Sequence, residues 1–224
     1  MPARARLPNA SKGRRGAAGG DKATATRRTQ KGQQTRERLV QAARSVFEEQ
    51  GFLHARVADV CKAANTSHGT FYTYFDSKEA IFKEVVDSVE LDLLAVDPVP
   101  EDTDPVERIR AANRHYLEAY RANAKIMAVI HQVATFDADV RATRVQRQNA
   151  FAAAIERRTR AYQDAGLADP DVDPRYAAQA LGGMVAFFAE DMFSQDHGFN
   201  LDEAVEQLTL LWANAVGLSR GGSA

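Results

Sequence analysis

The amino-acid sequence predicts an all-α fold of nine helices, three in an N-terminal head and six in a larger body. Apolar residues recur at intervals of three and four through much of the 224-residue chain, which is the repeat of one helix face. Asp or Asn precedes several of these segments and marks a helix N-terminus. No segment keeps the alternation of apolar and polar residues that is typical of a half-buried strand.

The composition is that of a globular protein. Hydrophobic residues make up 45% of the chain, as in ordinary globular domains, and no run approaches the roughly 18 apolar residues of a membrane-spanning helix. The basic start of the chain is not followed by an apolar segment of the secretory type. Cys61 is the single cysteine, so an intrachain disulfide is excluded, which fits a reducing compartment. We therefore expect a cytoplasmic protein with no membrane partner.

Charge is distributed unevenly along the chain. Residues 1–33 contain nine Lys or Arg residues and one Asp, a net charge of +8, so the chain total of −1 leaves −9 on the remainder. These residues are rich in Gly, Ala, Thr and basic side chains without an apolar period, and we expect them to form a disordered basic arm. Such an arm either solubilises the protein or binds an anionic partner, and the two roles are compatible. Residues 219–224 are expected to form a flexible tail.

The head is predicted over residues 34–80. Its first helix spans about 34–50, its second about 56–64 and its third about 67–74. The second and third helices are separated only by a tight turn at Asn65, a residue type that tolerates the left-handed conformation at a helix end. Two short helices joined in this way form a helix-turn-helix, which predicts a DNA-binding domain.

The third helix carries a mixture of side chains that suits a DNA groove. Phe71 and Phe75 are four residues apart, so they are expected to share the face that packs on the head. The second helix of a helix-turn-helix brings its N-terminal residues to base edges, and the expected base readers are His68, Gly69, Thr70, Tyr72 and Thr73. Tyr74 and Lys78 lie further along and are expected to contact phosphates, which set the register of the protein on the duplex. Packing with an exposed hydroxyl group is the alternative for Tyr72 and Tyr74.

A long series of residues in the head matches a known pattern. It comprises Gly51-Phe52, Val57, Asp59-Val60, Ala63-Ala64 and the continuous run Ser67-His68-Gly69-Thr70-Phe71-Tyr72-Thr73-Tyr74-Phe75-Asp76-Ser77-Lys78-Glu79-Ala80-Ile81-Phe82. With these residues, positions 34–82 resemble the DNA-binding domain of the TetR family of bacterial regulators. The resemblance implies DNA contacts by Ser67, His68, Gly69, Thr70, Tyr72, Thr73, Tyr74 and Lys78.

Three positions depart from the common family pattern. A Thr commonly opens the second helix where this chain has Ala55-Arg56, which loses an N-cap worth typically ~1 kcal/mol. Arg56 is instead a candidate phosphate contact. A basic residue is frequent where His68 stands, so the base preference there stays open, and Asn65 replaces a usual Gly.

The body is predicted as a helical ligand-binding and dimerisation domain over residues 81–218. Asp76 and Glu79 are interpreted as the N-cap and N3 residues of a capping box that opens the fourth helix. Asp104 opens a fifth helix that is expected to end near Ala122, before a separate short sixth helix. Three further helices are expected to the C-terminal end, and the body therefore holds six.

The last two predicted helices are candidates for a dimer interface. The eighth helix has apolar residues on nearly all sides, so it is expected to be buried on several sides. A glycine pair in its middle costs helix propensity and is explained by the close approach of another helix. Dimer contacts are expected from Leu181, Val185, Phe188, Met192, Leu208, Leu211, Trp212 and Ala215, with ordinary core packing as the alternative.

A ligand site is also expected in the body. Residues that combine apolar bulk with isolated polar groups are typical of small-molecule pockets, and here they are Tyr116, Tyr120, Met127, His131, Phe151, Met184 and Phe187. A plain core is the alternative for this set. His115 and His131 belong to no recognisable metal-ligand set, so no metal and no cofactor are expected.

The resemblance implies a homodimer that binds a palindromic DNA operator and is released by a small, largely apolar molecule, as a transcriptional repressor. An activator remains open. A second hypothesis is a DNA-binding regulator whose body only dimerises or docks a protein. An enzyme would require a nucleophile–base pair, a metal cluster or a phosphate loop, and none is recognised, so no enzymatic activity is expected.

Overall fold

The computed structural model describes residues 19–95, 100, 102–195 and 197–218, and within these ranges it contains eight α-helices and no strand. The predicted all-α class is confirmed. The helices are α1 (Gly19–His54), α2 (Val57–Ala63), α3 (His68–Tyr74), α4 (Lys78–Leu94), α5 (Pro105–Ala134), α6 (Ala138–Asp164), α7 (Pro174–Ser194) and α8 (Leu201–Ala215).

The body holds five helices within the described residues, not the six predicted. The fifth and sixth predicted helices are one helix, α5, which continues through Ala122 to Ala134. No Pro or Gly interrupts this stretch. The side chain of Asn123 donates a hydrogen bond to the carbonyl of Ala119 at 2.8 Å, so this residue folds back on its own helix and does not break it.

The first helix also differs from its prediction. It begins at Gly19, so the expected disorder over residues 1–33 is wrong from residue 19 onward. Residues 1–18 and the predicted tail 219–224 lie outside the described residues. Arg, Lys, Gln and Ala have high helix propensity, and extension of an existing helix adds one hydrogen bond per residue without a new nucleus. The chain divides into two compact units between Arg38 and Leu39.

The end of α1 and the start of α4 are joined through aromatic rings. Gly51 interrupts α1 with a positive φ of 73°, a conformation that a residue without Cβ adopts at little cost. The chain then turns Phe52 back into the core, where its ring centroid lies 5.7 Å from that of Phe47 and 4.7 Å from that of Phe82. This aromatic cluster of Phe47, Phe52 and Phe82 fixes the first turns of α4 against the head.

Most helices begin with a side-chain cap. Asp104 caps α5 by accepting from the backbone N–H groups of Val106 and Glu107 at 2.9 and 3.2 Å. At α4 the N-cap is Ser77, whose Oγ accepts from the N–H of Ala80 at 3.1 Å, so the capping box predicted from Asp76 is wrong by one residue. Asp137, Asp173 and Asn200 cap α6, α7 and α8 by the same kind of bond.

In the body, α5 packs against α4, α6, α7 and α8. One hydrophobic cluster runs from Leu39 in the head through α4 and α5 to Leu208 in α8. A second cluster includes Ile109, Tyr162 and Trp212. The continuous first cluster means that α4 shares its packing with both regions. Over the described ranges, none of the helices combines the length and apolar character that a membrane crossing requires.

Candidate nucleic-acid interface and body pocket

The position of α3 is set by a tight turn and a hydroxyl cap. Asn65 has a φ of 48°, the left-handed conformation expected for the turn. The N–H of Thr66 donates to the carbonyl of Cys61 at 2.9 Å. Ser67 then caps α3, since its Oγ accepts from the N–H of Thr70 at 3.1 Å. Cys61 is buried, as expected for a small core residue, and burial raises the pKa of its thiol.

The predicted division of α3 into a buried and an exposed face is present in the structure. Phe71 and Phe75 are buried. His68, Gly69, Tyr72 and Thr73 are exposed and lie at positions i, i+1, i+4 and i+5, on one helix face. Tyr72 is 55% exposed. Such a large exposed aromatic ring beside small residues forms a surface that a polar partner can approach closely.

Hydroxyl groups on α3 are partly engaged within the helix. The Oγ of Ser67 lies 3.0 Å from the Oγ1 of Thr70, and the Oγ1 of Thr73 donates to the carbonyl of Gly69 at 2.9 Å. Because the proton of Thr73 is used internally, this exposed residue offers an acceptor and a methyl group to a partner. Thymine presents a methyl group in the major groove that suits such a contact.

Lys78 and Tyr74 are more enclosed than the predicted phosphate contacts require. The Nζ of Lys78 donates to the carbonyl of Phe52 at 2.8 Å and lies 4.4 Å from the centroid of the Phe52 ring. Its ammonium group therefore satisfies a carbonyl at the end of α1. Tyr74 is half-buried against the hydrophobic cluster of the head. The side chains of both residues are therefore engaged within the head.

Arg56 is exposed at the N-terminus of α2. Its backbone N–H donates to the Oδ2 of Asp59 at 3.2 Å, which supplies half of a capping box in place of the missing Thr. The cap thus comes from the third residue of the helix and leaves the guanidinium group of Arg56 available at the surface of the head.

A pocket of about 270 Å³ lies between α5, α6, α7, α8 and the end of α4. Its wall is mainly apolar and includes Leu94, Ile109, Phe151, Ile155, Leu181 and Trp212. A smaller cleft of about 30 Å³ shares Leu94 and Phe151 with it and is also lined by Tyr116 and Arg147. The two cavities are therefore adjacent.

The predicted ligand residues are only partly brought together. Phe151 lines both cavities and Tyr116 the cleft, with their ring centroids 5.8 Å apart. Tyr120 and Met127 are buried core residues, and Met184 is half-buried against the core. Burial raises the pKa of both Tyr116 and Tyr120.

Two predicted ligand residues have other surroundings. Phe187 is 72% exposed and lines neither of the two cavities. The Nδ1 of His131 lies 2.8 Å from the Oε1 of Glu190, and neither residue lines the two cavities.

A buried ion pair beside the cleft was not anticipated from sequence. The Nη1 of Arg147 on α6 lies 2.7 Å from the Oε2 of Glu90 on α4, and both side chains are more than 90% buried. Burial raises the pKa of Glu90 above its ordinary range, although Arg147 and Arg144 act in the opposite direction. Each residue looks like a solvated surface charge in the sequence, because its partner lies far away along the chain.

The predicted dimer residues fall into two groups. Leu181, Val185, Leu208 and Trp212 are buried within the chain, so they belong to its own core and the interface assignment is wrong for them. Phe188 and Met192 are half-buried, and Leu211 and Ala215 are exposed. The helix period turns one side of α7 inward, which the sequence could not reveal because both sides are apolar.

The glycine pair of α7 has one structural explanation. A Cβ on Gly182 would lie 3.3 Å from the Cδ1 of Phe151 and 3.4 Å from the Cδ1 of Ile155, so this glycine allows α6 to approach. A Cβ on Gly183 would meet nothing within 4 Å.

Among the described residues no group of three His, Cys, Asp or Glu side chains is arranged to hold a metal ion.

Comparisons with known proteins agree with this division into head and body. The family of bacterial regulatory proteins called the tetR family matches residues 39–85, and the C-terminal domain described as tetracyclin repressor-like matches residues 102–190. An uncharacterised HTH-type transcriptional regulator, YdgC of Bacillus subtilis, is 45% identical over 56 residues, which cover 25% of this chain and 29% of YdgC.

Other similarities extend over most of the chain. The HTH-type transcriptional regulator AcrR of Shigella flexneri is 22% identical over 196 residues, 81% of this chain and 89% of AcrR. The crystal structure of a transcriptional regulator from Rhodococcus sp. aligns with a TM-score of 0.68 at 22% identity, and covers 83% of this chain and 99% of that one. The 45% identity therefore extends over a quarter of the chain, whereas the two similarities that cover most of the chain are at 22% identity.

Proposed function

The chain belongs to the TetR family of bacterial transcriptional regulators, and on this basis we propose that it is a repressor that binds a palindromic operator as a homodimer and is released by a small, largely apolar molecule. The observation that supports this proposal is the position of the two ends of α4. This helix begins four residues after α3 ends, and its last residue, Leu94, lies in the wall of both cavities. A molecule in the pocket thus contacts the helix that leads directly to the DNA-binding surface.

For the DNA contacts, the exposed face of α3 supports the assignment of His68, Gly69, Tyr72 and Thr73 to base edges. Ser67 and Thr70 lie at the N-terminus of α3, where backbone N–H groups also favour a phosphate. Arg56 is proposed as a phosphate contact from α2. Tyr74 and Lys78 are proposed to support this surface from within the head, because their side chains are engaged there. A chromosomal operator implies a cytoplasmic protein.

Dimerisation is proposed through the outer faces of α7 and α8. Exposed apolar side chains on these helices include Tyr176, Phe187 and Leu211, which are 75%, 72% and 53% exposed. Ala215 and the open backbone at Gly183 extend the same pair of helices. Large exposed apolar side chains are typical of an interface, and a two-fold axis would place the two copies of α3 at half-sites about one helical turn apart.

A ligand-responsive body is favoured over one that only dimerises or docks a protein. The 270 Å³ pocket is mainly apolar with a few polar groups at its edge, as ligand pockets are. A body without such a pocket would have supported the alternative. A ligand can act only if it binds the two conformations of the protein with different affinity, and α4 is the helix through which the difference would reach α3.

The test of the DNA-binding surface begins with selection of bound duplexes from a random pool, followed by affinity measurements on the selected operator. Tyr72→Ala is expected to weaken operator binding about tenfold or more and to relax the preference at one or two base pairs. Phe136→Ala, which also removes an exposed aromatic ring but far from α3 in sequence, is the control. Equal operator affinity in wild type and Tyr72→Ala would overturn the assignment of α3.

The dimer and the ligand response are tested separately. Insertion of about five base pairs between the half-sites turns them to opposite faces of the duplex and should abolish dimer binding. Phe187→Glu should yield a monomer in sedimentation, since it would place a charge in the proposed interface. A screen of small apolar molecules for operator release tests the ligand response, and in a promoter reporter the released state should raise transcription if the protein is a repressor.

A further inference from the structure

The buried pair of Glu90 and Arg147 bears on what kind of molecule the body recognises. Arg147 touches Glu90 and also lines the small cleft beside the 270 Å³ pocket. Resting on the proposed ligand response, we infer that the ligand is a compact apolar carboxylic acid, whose carboxylate binds Arg147 in the cleft while its apolar part occupies the larger pocket. The acid then competes with Glu90 for the same guanidinium group.

The guanidinium of Arg147 is only partly used within the described residues. It has five N–H donors in a planar fork, and its one ion pair in the part of the chain that the structure describes is with Glu90. Neither oxygen of Glu90 nor the Nη1 of Arg147 takes part there in a well-directed hydrogen bond, despite the 2.7 Å separation. Buried charged groups normally satisfy their hydrogen bonds, so a ligand carboxylate that aligns with the fork would be a better partner than Glu90.

The surroundings of the cleft favour an anion. Arg144 lies one turn before Arg147 on α6, and its Nε is also buried without a partner among the described residues. The charge of Arg144 acts on Glu90, Tyr116 and His131, which places it in the same group of polar side chains. Of the acids whose charges act on this group, Glu190 contacts His131 and Asp87 adds negative charge near Glu90, while Glu90 is the acid that is paired with Arg147.

The size and lining of the cavities define the rest of the ligand. The cleft of about 30 Å³ has room for roughly two water-sized groups, as a carboxylate needs. The adjoining pocket is walled by side chains such as Ile109, Ile155 and Trp212. At about 270 Å³ it lies just below the usual range of small-molecule sites, about 300–1,000 Å³, so the apolar part is a single small ring system or a medium-length alkyl chain.

This arrangement also supplies a route to the DNA-binding head. Glu90 stands on α4, one turn before Leu94 at the end of that helix. When a ligand carboxylate takes Arg147, Glu90 loses the ion pair that ties α4 to α6. A change of partner at this point alters the packing of α4, whose first residues contact the aromatic cluster of the head through Phe82.

The experiment compares acids with their uncharged isosteres by calorimetry on the full chain. The probes are 2-naphthoate and octanoate, each paired with its primary amide. At least one acid should bind wild type about tenfold or more tightly than its amide, as expected for hydrogen bonds to a charged group. In the double variant Glu90→Gln/Arg147→Gln, which removes both charges at similar volume, this preference should disappear. Arg157→Gln, which changes an exposed arginine of the same helix, should keep it.

Competition by Glu90 is tested by Glu90→Gln alone, which should bind the acid more tightly than wild type does. Equal binding of acids and amides, a preference that survives in the double variant, or no binding of any of the four probes would overturn the inference. Operator affinity measured with the same probes separates it from the proposed function. Acid binding through Arg147 without operator release would support the acid site and overturn the proposal that the protein responds to a ligand. Operator release by a neutral compound, with no acid binding, supports the ligand response and overturns the acid site.

Discussion

The head and the body of this regulator keep their charged groups in opposite places. In the head, the buried side chains are aromatic and aliphatic, such as Phe47, Phe71 and Phe82, and the described charged side chains are exposed or half-buried. In the body, Glu90 and Arg147 are buried next to a cavity. Under the proposed function, the head supports the surface of α3 that contacts DNA, whereas the body contains an ion pair that a ligand would exchange. The difference predicts that the two regions respond differently to substitution.

The largest expected effect is on the packing of the head. Phe71→Ala removes a fully buried ring and should lower the free energy of unfolding by about 3–5 kcal/mol, because it leaves a cavity. Tyr72→Ala at the neighbouring, exposed position should change it by about 0.5 kcal/mol or less. Urea unfolding of the two variants measures both values. Similar losses in the two would contradict the division of α3 into a packing face and a reading face.

In the body, removal of one partner of the buried ion pair should also lower stability strongly. Arg147→Gln leaves the Glu90 carboxylate buried without its counter-charge and should cost about 3 kcal/mol or more in unfolding free energy. Glu90→Gln/Arg147→Gln should recover most of that loss, since neither charge of the pair then remains buried. If the double variant is as unstable as the single one, the cost comes from lost packing and not from the unpaired charge.

Lys78 and Arg56 are two basic residues of the head with different expected roles. Lys78→Met should lower unfolding free energy by about 1–2 kcal/mol, because it removes the charged hydrogen bond to Phe52. It should leave the salt dependence of operator binding unchanged. Arg56→Gln should leave stability unchanged and reduce the slope of log affinity against log salt by about one. A reversed pattern would return Lys78 to the phosphate contacts.

The smallest expected effect is a pH dependence from His131. Burial, together with the charge of Arg144, holds the pKa of His131 below its ordinary value of 6.5, although Glu190 acts in the opposite direction. The unfolded chain therefore binds this proton first. The contribution of His131 to stability is fully present above pH 6.5 and is lost as the pH falls through the lowered folded-state pKa.

We therefore expect wild type to lose unfolding free energy between about pH 7 and pH 5, and His131→Gln to lose less. His115→Gln, which changes a histidine of the same helix that contacts the carbonyl of Asp92, serves as the control. Urea unfolding across this pH range makes the comparison. Parallel curves for wild type and His131→Gln would show that another group dominates.

Whether a prediction from the sequence was correct depended on how far apart in the chain the interacting residues lie. The opposite faces of α3, with Phe71 inside and Tyr72 outside, followed from residues at most four positions apart. The prediction of two helices in place of α5 was wrong. It placed a helix end near Ala122, whereas the helix continues and the side chain of Asn123 bonds within it. The dimer residues were misassigned because α7 is apolar on both sides, and only its packing separates Leu181 inside from Phe187 outside.

The all-α class, the helix-turn-helix and the exposed face of α3 follow from the sequence, because helix periods, caps and tight turns are local properties of the chain. Packing of the helices was needed to show that Lys78 contacts Phe52, that Glu90 meets Arg147, and that a cleft lies beside Arg147. Those contacts join residues far apart in sequence. Each charged residue has many partners that are equally compatible with the local pattern, and only the packing of helices selects one.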